Sequence, residues 1–153
     1  MSDEKPRVPI PPPILYLVAI GLGLWLERPL PWPVPGGVVR FGLGAVLIVL
    51  AVLVFAWCLR ELRRHETTLN PHRAASRLVS SGPFRFSRNP IYVSLTLFQV
   101  GVALLAGSTW VLLMLAWVLP VMQRLVIARE EAHLRWRFGT DYADYSSRVR
   151  RWL

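Results

Sequence analysis

From Val38 to Leu59 the chain runs for 22 residues with one charge, Arg40, near the start, and no other feature restricts the fold as strongly. Coiled as a helix, the run is about 33 Å long at about 1.5 Å per residue, enough to cross the hydrocarbon core of a bilayer. Arg40 lies close enough to one end to snorkel outward. With 54% hydrophobic residues and a mean hydropathy of +0.40, the 153-residue chain is too apolar for an ordinary soluble domain.

Three more apolar runs accompany it. Ile14 to Leu26 has 13 residues, short of the roughly 17 that spanning takes, so it either crosses with help from Pro11 to Pro13 and the flank near Leu30 or is a re-entrant or tilted piece. It ends at Glu27-Arg28 without a small-residue cleavage site and is read as a first span, not a signal peptide. Ile91 to Leu105 and Trp110 to Ile127 are joined by Ala106 to Thr109, a link so short that the two must run antiparallel. Pro120 is expected to kink the second. The fold class is therefore all-α and integral to a membrane, with about four transmembrane helices in one domain. Residues 1–13 form a Pro-rich lead, 14–67 the N-terminal spans and 68–153 the remaining core.

The formal charge of +9 has an address. Between Arg60 and Asn89 there are seven arginines against Glu61 and Glu66, and from Arg124 onward seven arginines against Glu130, Glu131, Asp141 and Asp144. An excess of arginine in short loops marks the cytoplasmic side, so this loop and both termini are placed inside. The Leu30 to Gly37 connector, with Trp32 as an interfacial aromatic, and Ala106 to Thr109 are placed outside. The positive charge is thus assigned to the membrane surface and not to nucleic acid.

From Ala128 a charged helix is expected to leave the membrane as a cytoplasmic cap. Glu130, Leu134 and Phe138 share one face, Glu131 and Arg135 form an i, i+4 pair, and Gly139 ends the helix. Tyr142, Tyr145, Val149 and Trp152 then recur at helical spacing, with Arg148, Arg150 and Arg151 directed at anionic headgroups.

Candidate chemistry centres on Leu78 to Tyr92, LVSSGPFRFSRNPIY. Gly82-Pro83 forces a bend, and Asn89-Pro90 is the cap and first residue of the next helix. Arg85 and Arg88 beside that helix mouth suit an anionic group, or equally a membrane surface. The helical hairpin returns Glu130 and Glu131 to the same face, so both pieces can share one pocket. Together they offer carboxylates for a cation, arginines for an anion and an apolar slot; the plainer reading is that the two glutamates neutralise neighbouring arginines. Gln99 either lines a substrate cavity or, as is commoner, bridges helices. Cys58, the sole cysteine, is a packing residue. There is no His/Cys/carboxylate set with metal-ligand spacing, and no strand followed by G-x-G-x-x-G, which excludes a soluble dinucleotide-binding-type fold on pattern.

The segment LVSSGPFRFSRNPIY, followed by REEAHLRWRFGTDYADYSSRVRRWL, resembles the integral-membrane methyltransferases typified by isoprenylcysteine carboxyl methyltransferase, and more loosely the phospholipid N-methyltransferases. The likeness runs from about Thr68 to the C-terminus. It implies an S-adenosyl-L-methionine-dependent enzyme that releases S-adenosyl-L-homocysteine, with residues 68–153 as the catalytic, cofactor-binding core. It implies cofactor contacts from Leu78, Val79, Gly82, Phe84, Asn89, Pro90, Ile91, Tyr92 and Glu130, and catalytic roles for Arg88 and Tyr92. The acceptor is implied to be lipidic or amphipathic, a carboxylate such as prenylcysteine or an amine such as phosphatidylethanolamine, reached from the bilayer at the cytoplasmic face. Phe84 stands where the family usually has Tyr, and Asn89 where it usually has His. Val126 occupies the position of a substrate-holding Arg, leaving Arg124 or Arg129, with Gln99, as substrate-binding candidates. An amine acceptor would require Tyr92, Glu131 or His72 to help remove a proton. Thr68 to His72 is similar to small bacterial-type members, which implies a bacterial inner membrane. Two further readings stay open: a sterol-reductase-type NADPH enzyme, and a non-catalytic membrane scaffold.

Overall fold

The computed structural model describes residues 11–65 and 78–153, and every regular element among them is helical. The lead up to residue 10 and the loop 66–77, with Thr68 and His72, lie outside the described residues. Helix α1 (Pro12–Leu26) begins with prolines in its first turn, where a missing amide costs nothing. Helix α2 (Gly37–Arg64) extends beyond the expected 38–59 run, because Arg60 to Arg64 continue the helical register into the charged region. Helix α3 (Pro90–Ala106) starts at the Asn89-Pro90 step as expected and ends at Gly107, whose left-handed φ of 69° closes its last turn.

Trp110 to Ile127 is not one regular helix. It divides into α4 (Thr109–Leu113), α5 (Leu115–Val121) and a π-helical turn, Met122–Ile127, before α6 (Ala128–Arg148). Pro120 supplies the cause: without its amide the preceding turn loses a hydrogen bond, and the backbone re-pairs in wider i→i+5 turns just downstream. At Gly139, with φ 51° and ψ −119°, α6 bends sharply and a last helical segment begins, as the sequence led one to expect. The final helix, however, ends at Arg148; Val149 is extended, so Val149 and Trp152 leave the expected stripe while Tyr142 and Tyr145 stay buried in it.

The stretch Thr109–Arg148, 40 residues taken together, and Gly37–Arg64 are long and apolar enough to cross a membrane; Pro12–Leu26 and Pro90–Ala106 are shorter apolar helices. Much of the apolar surface faces outward. Val38 is 87% exposed and Leu53 60%, a surface that belongs in lipid and not in water. Inside, Leu15, Tyr16 and Ala19 of α1 pack against Tyr92 of α3 and against Val118, Met122, Val126 and Ile127. Cys58 is fully buried, in keeping with a packing role.

Both links expected outside the membrane do meet at one end. Val34 N–H donates to the Gly107 carbonyl at 2.8 Å, Thr109 N–H donates to that of Trp32 at 3.0 Å, and the Trp32 and Trp110 rings stand edge to face at 5.7 Å. The Glu27 carboxylate accepts from Ser108 Oγ and Trp32 N–H, both at 2.6 Å. Arg40 does not snorkel outward: its guanidinium donates to the Leu104 carbonyl at 2.6 Å, capping the C-terminus of α3, where a cation is favoured. Gln99 likewise bridges helices, donating from Nε2 to the Val111 carbonyl at 2.9 Å.

Helices α2 and α3 approach through glycines. A Cβ at Gly101 would stand 2.6 Å from Ile48 Cγ1 and 2.9 Å from the Gly44 carbonyl oxygen, whereas one at Gly42 would meet nothing within 4 Å. Gly101→Val is therefore expected to cost about 1–3 kcal/mol by overpacking. Gly42→Val should stay within about 0.5 kcal/mol of the parent. Thermal unfolding in detergent distinguishes them, and equal melting of the two variants would contradict this packing.

Candidate active site

The segment 78–89 leaves residue 78 as extended chain, turns at Gly82 and forms a short 3-10 turn, Gly82–Arg85. Gly82 has φ +57°, and a Cβ there would press on the Glu61 carboxyl group at 2.9–3.0 Å, so the position requires glycine twice over. Glu61 fastens the turn to the end of α2. It accepts from Ser81 Oγ at 2.5 Å, with His65 Nε2 3.0 Å from the same hydroxyl. The Ser81 hydrogen bond, ahead of the nearby Arg64 and His65 charges, holds the Glu61 carboxyl below its ordinary range.

From this anchored turn the chain reaches α3, and two consecutive glutamates of α6 come to meet it. Tyr92 Oη, in the first turn of α3, donates to Glu130 Oε1 at 2.7 Å. Arg88, just before that turn, lies 3.4 Å from Glu131 Oε1. The arginine-bearing segment and the acidic pair thus meet at one end of the hairpin. Successive helical residues diverge by about 100°, which is why Glu130 meets Tyr92 while Glu131 meets Arg88 and Arg151.

Their surroundings differ accordingly. Glu131 is 4% exposed and ringed by guanidinium groups: Arg151 Nε and Nη2 reach its two oxygens at 2.9 and 2.7 Å, Arg88 flanks it, and the expected Arg135 pair is the loosest at 3.9 Å. The glutamate that might have taken a proton from an amine is therefore already occupied by guanidinium groups on both of its oxygens. Glu130 is partly buried and has the neutral Tyr92 hydroxyl as its partner. Burial pushes its carboxyl up to about 7; the Tyr92 hydrogen bond works against the rise and the Glu131 charge adds to it.

Arg151 is the residue that sequence reasoning misplaced. It was directed at lipid headgroups, but the extended tail folds back so that Arg150 and Arg151 seal the segment before α3. Arg88 N–H donates to the Arg150 carbonyl at 2.9 Å, and the Arg151 carbonyl accepts from Asn89 Nδ2 at 2.9 Å and Ser87 Oγ at 3.4 Å. Asn89 is thus the cap by position only. Its side chain accepts nothing from α3 and is turned to the tail instead. Tyr145 Oη donates to the Phe84 carbonyl at 2.7 Å, and Trp152 Nε1 donates to Gln123 Oε1 at 3.2 Å. No local pattern marks this return; VRRWL reads as more helix.

The other expected site residues fall around this arrangement. Val79 and Pro90 are buried, Leu78, Phe84 and Ile91 half-buried. Arg124, within the π-turn, and Arg129, just after it, are exposed, and Val126 is packed in the core. Gln99 lies two turns further along α3, with its Nε2 donating to Val111 and its buried Oε1 without a partner among the described residues.

The phospholipid methyltransferase family pattern matches residues 39–141, which include α2, the 78–89 segment, the hairpin and most of α6. The chain belongs to that family. Its matched region holds Arg88, Tyr92, Glu130 and Glu131, while Arg151 lies outside it. An uncharacterized protein of Haemophilus influenzae is 40% identical over 68 residues, which is all of that protein and 41% of this chain. No solved structure matches the chain significantly. Among the described residues no group of three or more His, Cys, Asp or Glu could hold a metal.

Removing one partner from a buried ion pair typically costs about 3–5 kcal/mol, whereas exposed pairs contribute about 0–1 kcal/mol. Glu131→Gln is thus expected to lower stability by about 3 kcal/mol and to release the C-terminal tail to carboxypeptidase. Arg135→Ala should change either readout little, because Arg135 is 59% exposed in its pair. Similar protection of the tail in both variants would contradict the cage.

Proposed function

We propose that this phospholipid methyltransferase family member transfers a methyl group from S-adenosylmethionine to a lipidic or amphipathic acceptor that reaches a cytoplasmic site from the bilayer. The observation that carries the proposal is the division of labour between Glu130 and Glu131. With Glu131 neutralised by arginines, Glu130 is the carboxylate left to attract a cation. Arg88 Nε is buried without a partner among the described residues, a spare donor on the side chain that flanks the neighbouring Glu131. A partly buried carboxylate and an unspent guanidinium donor fit a ligand carrying sulfonium, amino and carboxylate groups.

Bound there, S-adenosylmethionine supplies an electrophilic methyl group. Glu130 holds the cationic end, and Leu78, Val79, Phe84 and Ile91, with the Gly82 turn, supply the apolar slot for adenine. Asn89 and Pro90 set the start of α3, and with it the position of Tyr92. Because the displacement itself needs little covalent help, the residues contribute mainly by orienting the acceptor and excluding water.

An amine acceptor loses one proton as it gains a methyl group. The Tyr92–Glu130 pair is suited to take it: the hydroxyl passes its own proton to a carboxylate whose proton affinity burial has raised. Val126 supports an amine over a carboxylate acceptor, since a buried valine stands where the carboxyl methyltransferases hold their substrate with arginine. Four spans with the basic ends cytoplasmic remain our preferred topology, supported by the arginine excess and by the two apolar links sharing the opposite end.

Because the folded Glu130 pKa lies above the ordinary carboxylate value, folding favours its protonated form. That contribution to stability is full below the ordinary value and is lost as pH rises through about 7. Binding of the cationic cofactor requires the opposite form. Calorimetry should therefore find S-adenosylmethionine affinity rising as pH passes about 7, with weak, pH-independent binding for Glu130→Gln. Unchanged binding by that variant, or stabilisation by NADPH instead, would sink the proposal.

Tyr92→Phe removes the relay and should lower methyl transfer about 10²-fold. The assay follows radiolabel from the methyl donor into total membrane lipid, and cofactor binding should be largely kept. Absence of transfer by the parent protein would favour a binding or scaffold role.

A further inference from the structure

We propose that the cytoplasmic-end groove of α2 binds an anionic phospholipid of the surrounding leaflet, at a place separate from the candidate active site. The groove is a shallow, open one of about 730 Å³ along the face of α2, lined by Leu53, Ala56, Trp57 and Leu59, then by Arg60, Arg63 and Arg64. Positions 53, 56, 57, 60, 63 and 64 recur at three- and four-residue steps, so they form one stripe along the helix, apolar in its first half and basic in its second. That sequence of surfaces is the profile of a lipid: acyl chain beside Leu53 and Trp57, phosphate among the guanidinium groups.

Charge decides the headgroup. Three arginines at i, i+3 and i+4 repel one another, and the carboxylate near them, Glu61, is already taken by Ser81 and His65 and stands 3.8 Å from Arg64. An anion inserted among them relieves that repulsion, while a zwitterionic choline headgroup adds a cation where none is wanted. Exposure of Leu53 at 60% and Trp57 at 45% separates a lipid from a soluble phosphate, which would have no use for the apolar half. The Phe86 ring lies 6.4 Å from Trp57, and Arg85 stacks over Phe86 at 4.5 Å, so the same edge continues onto the segment leading to Arg88.

The full chain in detergent, titrated by native mass spectrometry with dioleoyl-phosphatidylglycerol, tests this directly. Each arginine near a membrane surface contributes a few-fold to tenfold in affinity, so R60Q/R63Q should bind about thirtyfold more weakly. R137Q, an exposed arginine on α6, should bind like the parent. Phosphatidylcholine should bind far less well, and glycerol 3-phosphate should not displace the lipid. Equal retention of both lipids, parent-like binding by R60Q/R63Q, or displacement by glycerol 3-phosphate would overturn the proposal, the last by reducing the groove to a plain anion site. Should R60Q/R63Q melt well below the parent, L53Q removes the apolar half instead, and parent-like binding by it would be equally fatal. None of these readouts depends on methyl transfer, so failure here leaves the catalytic reading standing.

Discussion

A carboxylate nearly sealed from water, Glu131, sets the terms for everything around it. Withdrawing that charge costs several kcal/mol unless cations meet it, and it draws them from two distant parts of the chain, Arg88 before α3 and Arg151 near the C-terminus. Once Arg151 is in place, its own carbonyl and that of Arg150 become acceptors for Asn89, Ser87 and Arg88. The start of α3 is therefore fastened by the tail, and Tyr92 with it. An ion pair that looks like surface neutralisation in the sequence is the tie that positions the candidate site.

Adjacent glutamates with opposite circumstances are a recurrent means of giving two carboxyl groups two tasks. Here the helical step supplies the separation, and the π-turn after Pro120 sets which way each one faces, since wider turns rotate everything downstream. Glu131 remains a charge locked in its cage. Glu130, bonded to a neutral hydroxyl, is pushed up to about 7 by burial, and in the proposed reading it is the ionised form above that pH that meets the ligand.

Much of the candidate site was legible because its signals are local. Gly82-Pro83 announced a bend, Asn89-Pro90 announced a helix start, and a four-residue link left the hairpin no choice but to bring Glu130 and Glu131 back to Arg88. The tail was not legible, because VRRWL contains no helix breaker and its departure from helical geometry is paid for by contacts 60 or so residues away in sequence. Arg40 misled for a related reason. A lone arginine near a helix end snorkels by default, but here the open carbonyls of α3 lie within its reach.

Hydropathy, turn residues and spacing by themselves determined that the chain is helical and apolar enough for a bilayer, and that the basic segment and the acidic pair lie at the same end; of the four spans they led one to expect, the structure shows two helices that are long and apolar enough to cross. Those properties follow from backbone hydrogen bonding and chain length, which act over a few residues at a time. Tertiary structure alone decided which glutamate is neutralised, what Asn89 faces and where the last five residues go. These depend on burial and on partners far apart along the chain, and the cost of an unpaired buried charge exists only once the fold has excluded water.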